Sequence, residues 1–584
     1  MLALFACILF TAFLEMAGVA SIMPFMAVVA NPGFIQNNSV MLEIGRFLGI
    51  ADSRSYVISL GVLALCLLVA GNFFAAFTSA FVVRTGARLN QSISHRLLAA
   101  YLYRPYELFL TDNSSRLNRN ILHEVYNVVF QVMTPALNVA ARLASACSLV
   151  LLMLLVKPVL STFVVAMLGG FYAMIYLMAR KILKWNGERY LKSNRELAGI
   201  VSEALGGVKE IKVFGREFEY LDRFDEPARR VAYGQTIGAV VPQMPRYLME
   251  VISFGGVILL VILYLATGRE ITTVMPLITL YAVAGYRLMP SLQQIFAGIT
   301  QIRFSLPALN LLCADLTEAP QISPTDRDNS KIDPLPFNEE VKLEGVTYRY
   351  PGGNSNALDG VSLRIPANST VALVGESGSG KSTLVDLLLG LLKIRDGAVL
   401  VDNIPVTGEN IVSWQRNVGY VPQSIFLSDD TITRNIAFGV SSGQIDHAAV
   451  QKAAEQANLH GFIENELPDG YGTVIGERGV RISGGQRQRI GIARALYHDP
   501  KVLILDEATS ALDGITENAV LEAMQNLAHK KTIIIVAHRF SSVRNSDCIF
   551  LLDQGKIAAQ GTYDELMGAS AMFRAMSGVT DDNG

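Results

Sequence analysis

Six apolar stretches, at about 1–30, 56–83, 126–156, 158–183, 240–267 and 271–300, fill the first half of the chain and exclude any fold that water surrounds throughout. Each is long enough for a helix to cross roughly 30 Å of hydrocarbon, which takes about 20 residues. Composition agrees: 51% of the 584 residues are apolar and only 17% charged, against roughly 25% charged in soluble domains. At this length a single hydrophobic core cannot serve the whole chain, so more than one domain is expected. The opening run MLALFACILF lacks a basic leading region and reads as a membrane helix rather than a signal peptide, with the given sequence beginning inside that helix.

The links between spans alternate in character. Lys157-Pro158 and Gly268-Arg269-Glu270 read as tight turns on one side, whereas residues 84–125 and 180–230 are long and rich in Arg and Lys. Basic links stay in the cytoplasm, so both termini are expected there. Apolar residues at helical spacing continue through both links, as at Leu97, Tyr101 and Leu108. The expectation is that membrane helices extend into the cytoplasm and end in short crosswise helices near 104–113 and 214–224. Much of this basic charge also suits plain solvation or lipid headgroups. The stretch from Ser39 to Leu48 would place Val40, Met41, Ile44, Phe47 and Leu48 on one helical face, either a loop helix or one lying in the outer interface. Glu15, Arg246, Glu250 and Arg287 sit at membrane depth, where a charge needs a partner or a watery cavity. Arg246 and Glu250 are four apart and can satisfy each other; Arg287 reads as a substrate-facing cation.

Residues 319–340 turn polar and carry four prolines, which marks a linker between a membrane domain at 1–318 and a second domain at 341–584. Strands and helices alternate beyond it, as in a soluble α/β unit. Its centre is VALVGESGSGKSTLV, in which Gly375, Glu376, Ser377, Gly378, Ser379, Gly380, Lys381, Ser382 and Thr383 follow an apolar strand and open a helix. Glycines there let backbone N–H groups converge on phosphate oxygens at a helix start. Lys381 would reach the β- and γ-phosphates of a nucleoside triphosphate, and the Ser382 hydroxyl would sit on Mg²⁺. The overall expectation is an all-α six-helix transmembrane domain fused to an α/β P-loop nucleotide-binding domain.

Other parts fall around that loop. VKLEGVTYRY, 341–350, reads as a strand ending in Tyr350, either a sheet aromatic or a platform for a nucleotide base. Gln423 closes the strand VGYVPQ and offers an amide oxygen to the metal. Ser483, Gly484, Gly485 and Gln486 begin a helix, a second anion-binding start. One domain has no evident need of two, so a two-fold dimer is expected in which each faces the other's phosphates. KVLILDE ends in Asp506, placed to hold Mg²⁺, and in Glu507, expected on the opposite side of the strand and able to take a proton from water. TIIIVAH ends in His538, a γ-phosphate contact. The net charge of -2 gives no reason to expect nucleic acid. Cys7, Cys66, Cys147, Cys313 and Cys548 are scattered, without metal or disulfide spacing.

GESGSGKST, VPQ, ISGGQ, LILDEATSALD and VAHR together resemble the nucleotide-binding domain of ABC transporters, in the order found in exporters, with Ile482 where Leu is usual. The resemblance spans roughly 341–575 and implies a homodimeric ATPase: Tyr350 on adenine, Gly375 to Thr383 on the phosphates, Gln423 and Asp506 on Mg²⁺, Glu507 as base, His538 as switch, and Ser483 and Gly485 acting across the dimer. LEMAGVASIMPFMAVV, HEVYNVVFQV, VPQMPRYLMEVISF and GYRLMPSLQQI resemble flippases for lipid-linked oligosaccharides of the PglK type. That implies a polyprenyl-diphosphate glycan as cargo in a bacterial inner membrane, with Arg246 and Arg287 near the diphosphate. Other amphipathic cargoes, such as a lipid A-like lipid, a peptide or a drug, stay open, as does an ATP-gated channel or a regulatory membrane protein.

Overall fold

The computed structural model describes residues 2–30, 53–111, 114–156, 158–247, 250–251, 255, 258, 262, 275–317, 332–476, 482–507, 514–537, 540 and 543–577. They divide into two compact units, Met1–Arg104 with Asp112–Gln321, and Pro105–Thr111 with Ile322–Gly584.

The first unit is helical: α1 (Leu2–Ala30), α2 (Ser53–Leu102), then, beyond the short α3 (Tyr106–Thr111) of the second unit, α4 (Thr134–Val156), α5 (Pro158–Gly206), α6 (Glu217–Val240) and α7 (Met275–Thr317). Among the described residues, five helical stretches are long and apolar enough to span a membrane. The predicted fifth span, 240–267, and the helix expected at Ser39 to Leu48 lie largely or wholly outside those residues. Leu65, Val69 and Phe73 point outward, as lipid-facing side chains do. Polar side chains tie the helices together. Thr11 and Thr78 share a hydrogen bond of 2.8 Å between α1 and α2. Glu15 pairs at 3.7 Å with Arg142 of α4, whose Nε donates to Gln294 of α7 at 2.6 Å. Arg142 is thus the partner that Glu15 required, contributed from a distant helix.

At the ends of α2 and α7 the buried Asp315 carboxylate accepts from Tyr101 Oη at 2.5 Å and Asn120 Nδ2 at 2.9 Å. Asn120 opens one of two π-helical turns, Asn120–Glu124 and Val129–Met133. Gly187 of α5 lies against α7, where a Cβ would stand 2.1 Å from the Phe304 carbonyl oxygen.

The expected crosswise helix near 104–113 is α3, Tyr106–Thr111. The one expected at 214–224 lies elsewhere: a short helix covers Val208–Phe214, stops at left-handed Gly215 (φ +61°), and Glu217 already begins α6. Glycine adopts that conformation without strain and so ends the helix.

In the second unit β1 (Glu340–Tyr348), β2 (Leu358–Pro366), β4 (Asp396–Val401) and β5 (Ile404–Pro405) form an antiparallel sheet in the order β2-β1-β4-β5. β1 ends at Tyr348, short of the expected Tyr350. A second sheet runs β10-β9-β3-β8-β7-β6, from β3 (Thr370–Gly375), β6 (Val418–Val421), β7 (Val502–Asp506), β8 (Thr532–Val536), β9 (Cys548–Asp553) and β10 (Lys556–Gly561). β3 is parallel to β8 and β9, and β7 to β6 and β8. Alternate residues serve opposite faces. Leu503, Leu505, Ile533 and Ile535 join a core with the helices, whereas Val502, Ile504, Ile534 and Val536 join one with the antiparallel sheet. Burial on both faces explains why these strands read as continuous apolar runs.

Trp414 anchors the second of those cores: it is 1% exposed, donates from Nε1 to the Leu388 carbonyl at 2.7 Å and meets Phe337 edge-on. Trp414→Ala is expected to cost about 3–5 kcal/mol, seen as a lower melting transition of this unit by scanning fluorimetry, with the membrane helices unaffected by circular dichroism.

Candidate nucleotide site

Parallel strands whose C-terminal ends point the same way leave a crevice there, and ligands of α/β sheets bind in it. β3 enters its loop at Gly375, and α8 (Lys381–Leu388) starts on the far side. Gly375 is hemmed in: a Cβ would lie 2.3 Å from the Leu552 carbonyl oxygen and 2.6 Å from Ser379 Oγ. Gly378 and Gly380 turn the loop with φ of +83° and +106°, which side chains with a Cβ rarely adopt. Lys381 is buried, and its Nζ donates to the carbonyls of Gly375 and Glu376, both at 2.8 Å. Burial draws its ammonium below the usual lysine range, against the opposing pull of Glu507 and then Asp506. Ser379 Oγ is buried with no hydrogen-bond partner, so the loop holds a polar atom that a phosphate oxygen would satisfy. Ser382 and the exposed Glu376 and Ser377 border the same cradle.

Thr383 Oγ1 and Tyr350 Oη lie 3.0 Å apart, and the Tyr350 ring stands edge-on to Tyr348 at 5.1 Å. Asp506 ends β7. Glu507 does not continue the strand's alternation as expected: its φ is +50°, and its N–H donates to the Val536 carbonyl at 3.1 Å. That turn carries its carboxylate to Gln423, whose Nε2 donates to Oε2 at 2.6 Å. Gln423 lies two residues beyond β6 rather than closing it. The structure thus gathers Tyr350, the loop 375–383, Gln423, Asp506 and Glu507 at one end of the sheets.

Ser483 lies apart from this cluster. It caps α9 (Gly484–Leu496): its Oγ accepts from the Gln486 N–H at 3.2 Å, and its own N–H donates to Gln486 Oε1 at 2.8 Å. α9 belongs to the core on the opposite face of the sheet from α8, and both Ser483 and Gly484 are exposed. Gly485 is buried beneath them. His538 falls outside the described residues, as does the Arg287 side chain, while Arg246 donates from Nε to Glu250 at 3.0 Å.

Two contributors escaped the sequence reading. Tyr420 Oη makes a long hydrogen bond of 3.4 Å to Asp506 Oδ2. Asp386, on α8, is pushed up to about 6 by burial and then by Asp506. A carboxylate inside the apolar run LVDLLLG was the available signal. Asp386 is also an electrostatic neighbour of Tyr106 on α3, whose Glu107 Oε1 accepts the Lys393 N–H at 3.1 Å.

A family model described as ABC transporter matches residues 358–510, and one described as ABC transporter transmembrane region matches 1–232. The chain is 30% identical over 574 residues to an ATP-dependent lipid A-core flippase of Bordetella pertussis, spanning 97% of this chain and 88% of that one. It is 32% identical over 518 residues to the protein of the same name in Alkalilimnicola ehrlichii, spanning 87% and 84%. Its fold is like that of a bacterial Atm1-family ABC exporter solved with ATP bound, with a TM-score of 0.77, 23% identity and 98% of each chain covered.

The position of Asp386 predicts a pH dependence. Its folded-state pKa of about 6 lies above its ordinary 3.8, so this carboxyl favours the folded state at low pH and that advantage is lost as pH rises through about 6. Asp386→Asn is therefore expected to raise the melting temperature of the Mg²⁺-free protein at pH 7.5 and to change it little near pH 4, measured by scanning calorimetry.

Proposed function

Because the chain belongs to the ABC transporters, a membrane-spanning family whose nucleotide-binding domain is an ATPase, we propose that it works as a homodimeric flippase for a saccharide-bearing lipid in a bacterial inner membrane. One observation carries this reading: α8, which the phosphate loop leads into, and α9, which the exposed Ser483 and Gly484 begin, pack into cores on opposite faces of one sheet. The two anion-binding starts therefore suit two different chains, each loop meeting the other's Ser483 and Gly485. With Ser483 Oγ already accepting from Gln486, its proton is left to donate to a phosphate oxygen.

In this reading the backbone of Gly375 to Thr383 and the Lys381 ammonium bind the β- and γ-phosphates, and Tyr350 stacks on adenine. Ser382, Gln423 and Asp506 would hold Mg²⁺, which supplies charge neutralisation at the phosphates. Glu507 takes the proton of the attacking water, oriented by its hydrogen bond to Gln423. His538 acts as a γ-phosphate contact. α3 senses the result through Tyr106 beside Asp386 and Glu107 on the Lys393 N–H. It passes the change to α2, whose end Tyr101 and Arg104 fasten to Asp315.

For cargo, the span sequences favour a polyprenyl-diphosphate glycan, with Arg246 and Arg287 near the diphosphate. The lipid A-core flippases that match over nearly the whole chain favour a second reading, a phosphorylated glycolipid of that kind. Both cargoes join an apolar tail to a phosphorylated sugar head.

Glu507→Gln is expected to keep nucleotide binding while lowering ATP turnover by about 10²–10⁴-fold, measured by phosphate release from purified protein; unimpaired turnover would remove Glu507 from the role of base. In liposomes, wild-type protein with ATP is expected to move a labelled polyprenyl-diphosphate glycan between leaflets. Movement of lipid A-core alone would favour the second cargo, and movement of neither would refute the flippase reading.

A further inference from the structure

Within the helical unit lies a cavity of about 380 Å³, bordered by the π-helical segment, α5, α6 and α7. Its walls are mostly apolar, with Leu191, Ala239, Pro307 and Ala308 among them, and a set of polar side chains is placed on them: Glu124, Asn127, Gln131, Asn194, Gln235 and Gln301, with Gln301 donating to Gln131. Tyr190 and Phe304 form one wall, their ring centroids 5.4 Å apart and tilted by 44°. Glu124 is fully buried, and neither of its carboxylate oxygens has a hydrogen-bond partner. Among the described residues Arg119 forms its ion pair, with Nε 3.9 Å from Oε1, beyond hydrogen-bond reach.

A buried carboxylate without donors is a costly arrangement, and a native structure keeps one where something else supplies them. Three of the polar groups, Glu124, Asn127 and Gln131, come from 120–133, where two π-helical turns bracket Val125–Val128. Such turns occur often at functional sites. The volume decides the class of ligand. An ion would leave most of the cavity empty, since one water takes up roughly 30 Å³, whereas small organic ligands occupy sites of about 300–1,000 Å³. Side-chain amides both donate and accept, which suits a ligand bearing many hydroxyls and does not suit an acyl tail.

We propose that this cavity is a sugar-binding site, in which the Glu124 carboxylate accepts hydrogen bonds from the hydroxyl or amide N–H groups of a saccharide head, the surrounding amides bind its other polar groups and the Tyr190–Phe304 pair lies against its apolar face. The choice of a sugar rests on the proposed flippase function. The site lies apart from Arg246 and Arg287 in sequence and would read the carbohydrate rather than the phosphate.

The test uses the full-length protein in nanodiscs and the soluble disaccharide di-N-acetylchitobiose, with binding followed by calorimetry. Glu124→Gln removes the charge. Gly238→Leu fills the cavity from another helix, at a position where a Cβ meets the Phe304 ring at an ordinary 3.6 Å. Wild-type protein is expected to bind saturably, and each variant about tenfold more weakly, with both variants eluting and melting as folded protein. Absence of saturable binding to the wild type, or undiminished binding by two folded variants, overturns the site. A protein that moves glycolipid in liposomes without binding the disaccharide loses this site alone; one that binds the disaccharide but moves no glycolipid keeps the site and loses the flippase reading.

Discussion

The nucleotide unit depends on one buried ammonium. Lys381 donates to the carbonyls of Gly375 and Glu376 and so closes the phosphate loop on itself. Glu507 and Asp506, together at the end of β7, hold its charge. Take that charge away and the loop loses its inner support, while two carboxylates lose the cation between them and the cradle. The crowding of Gly375 by the Leu552 carbonyl fixes the loop from outside, so its shape is over-determined before a nucleotide arrives. A pre-shaped cradle spends little of its binding energy on ordering itself.

The helical unit is held by a different principle. In hydrocarbon, apolar packing gives helices no preference for one another over lipid, so polar pairs and close approaches must set their arrangement. Thr11 with Thr78, Glu15 with Arg142 and Gln294, and Asp315 with Tyr101 and Asn120 each join helices distant in sequence. The last of these lies immediately before α3, whose residues pack with the nucleotide unit.

Much of the fold was legible because strands buried on both faces announce themselves. VALVG, KVLILDE and TIIIV admit few other readings, and the Gly-rich loop between strand and helix carried the site. What the chain concealed was long-range or conformational. The partner of Glu15 lies on α4, far along the sequence. The left-handed turn at Glu507 sends its carboxylate towards Gln423 in a way no alternation rule predicts. The misplaced crosswise helix is another matter, since VFGRE contains a glycine stop signal that could have been read. The cavity was hidden because its walls come from four segments, each of which alone looks like an ordinary amphipathic face.

The central claim is that one chain's phosphate loop and another chain's Ser483-Gly484 helix start enclose the same nucleotide. It is tested most directly by disulfide trapping between two differently tagged chains, both otherwise free of cysteine, one carrying Ser377→Cys and the other Gly484→Cys. The account predicts a covalent mixed dimer that forms on addition of ATP and fades when ATP is withdrawn before oxidation. Failure of the two chains to cross-link in the presence of ATP, or equal cross-linking with and without it, would contradict the account.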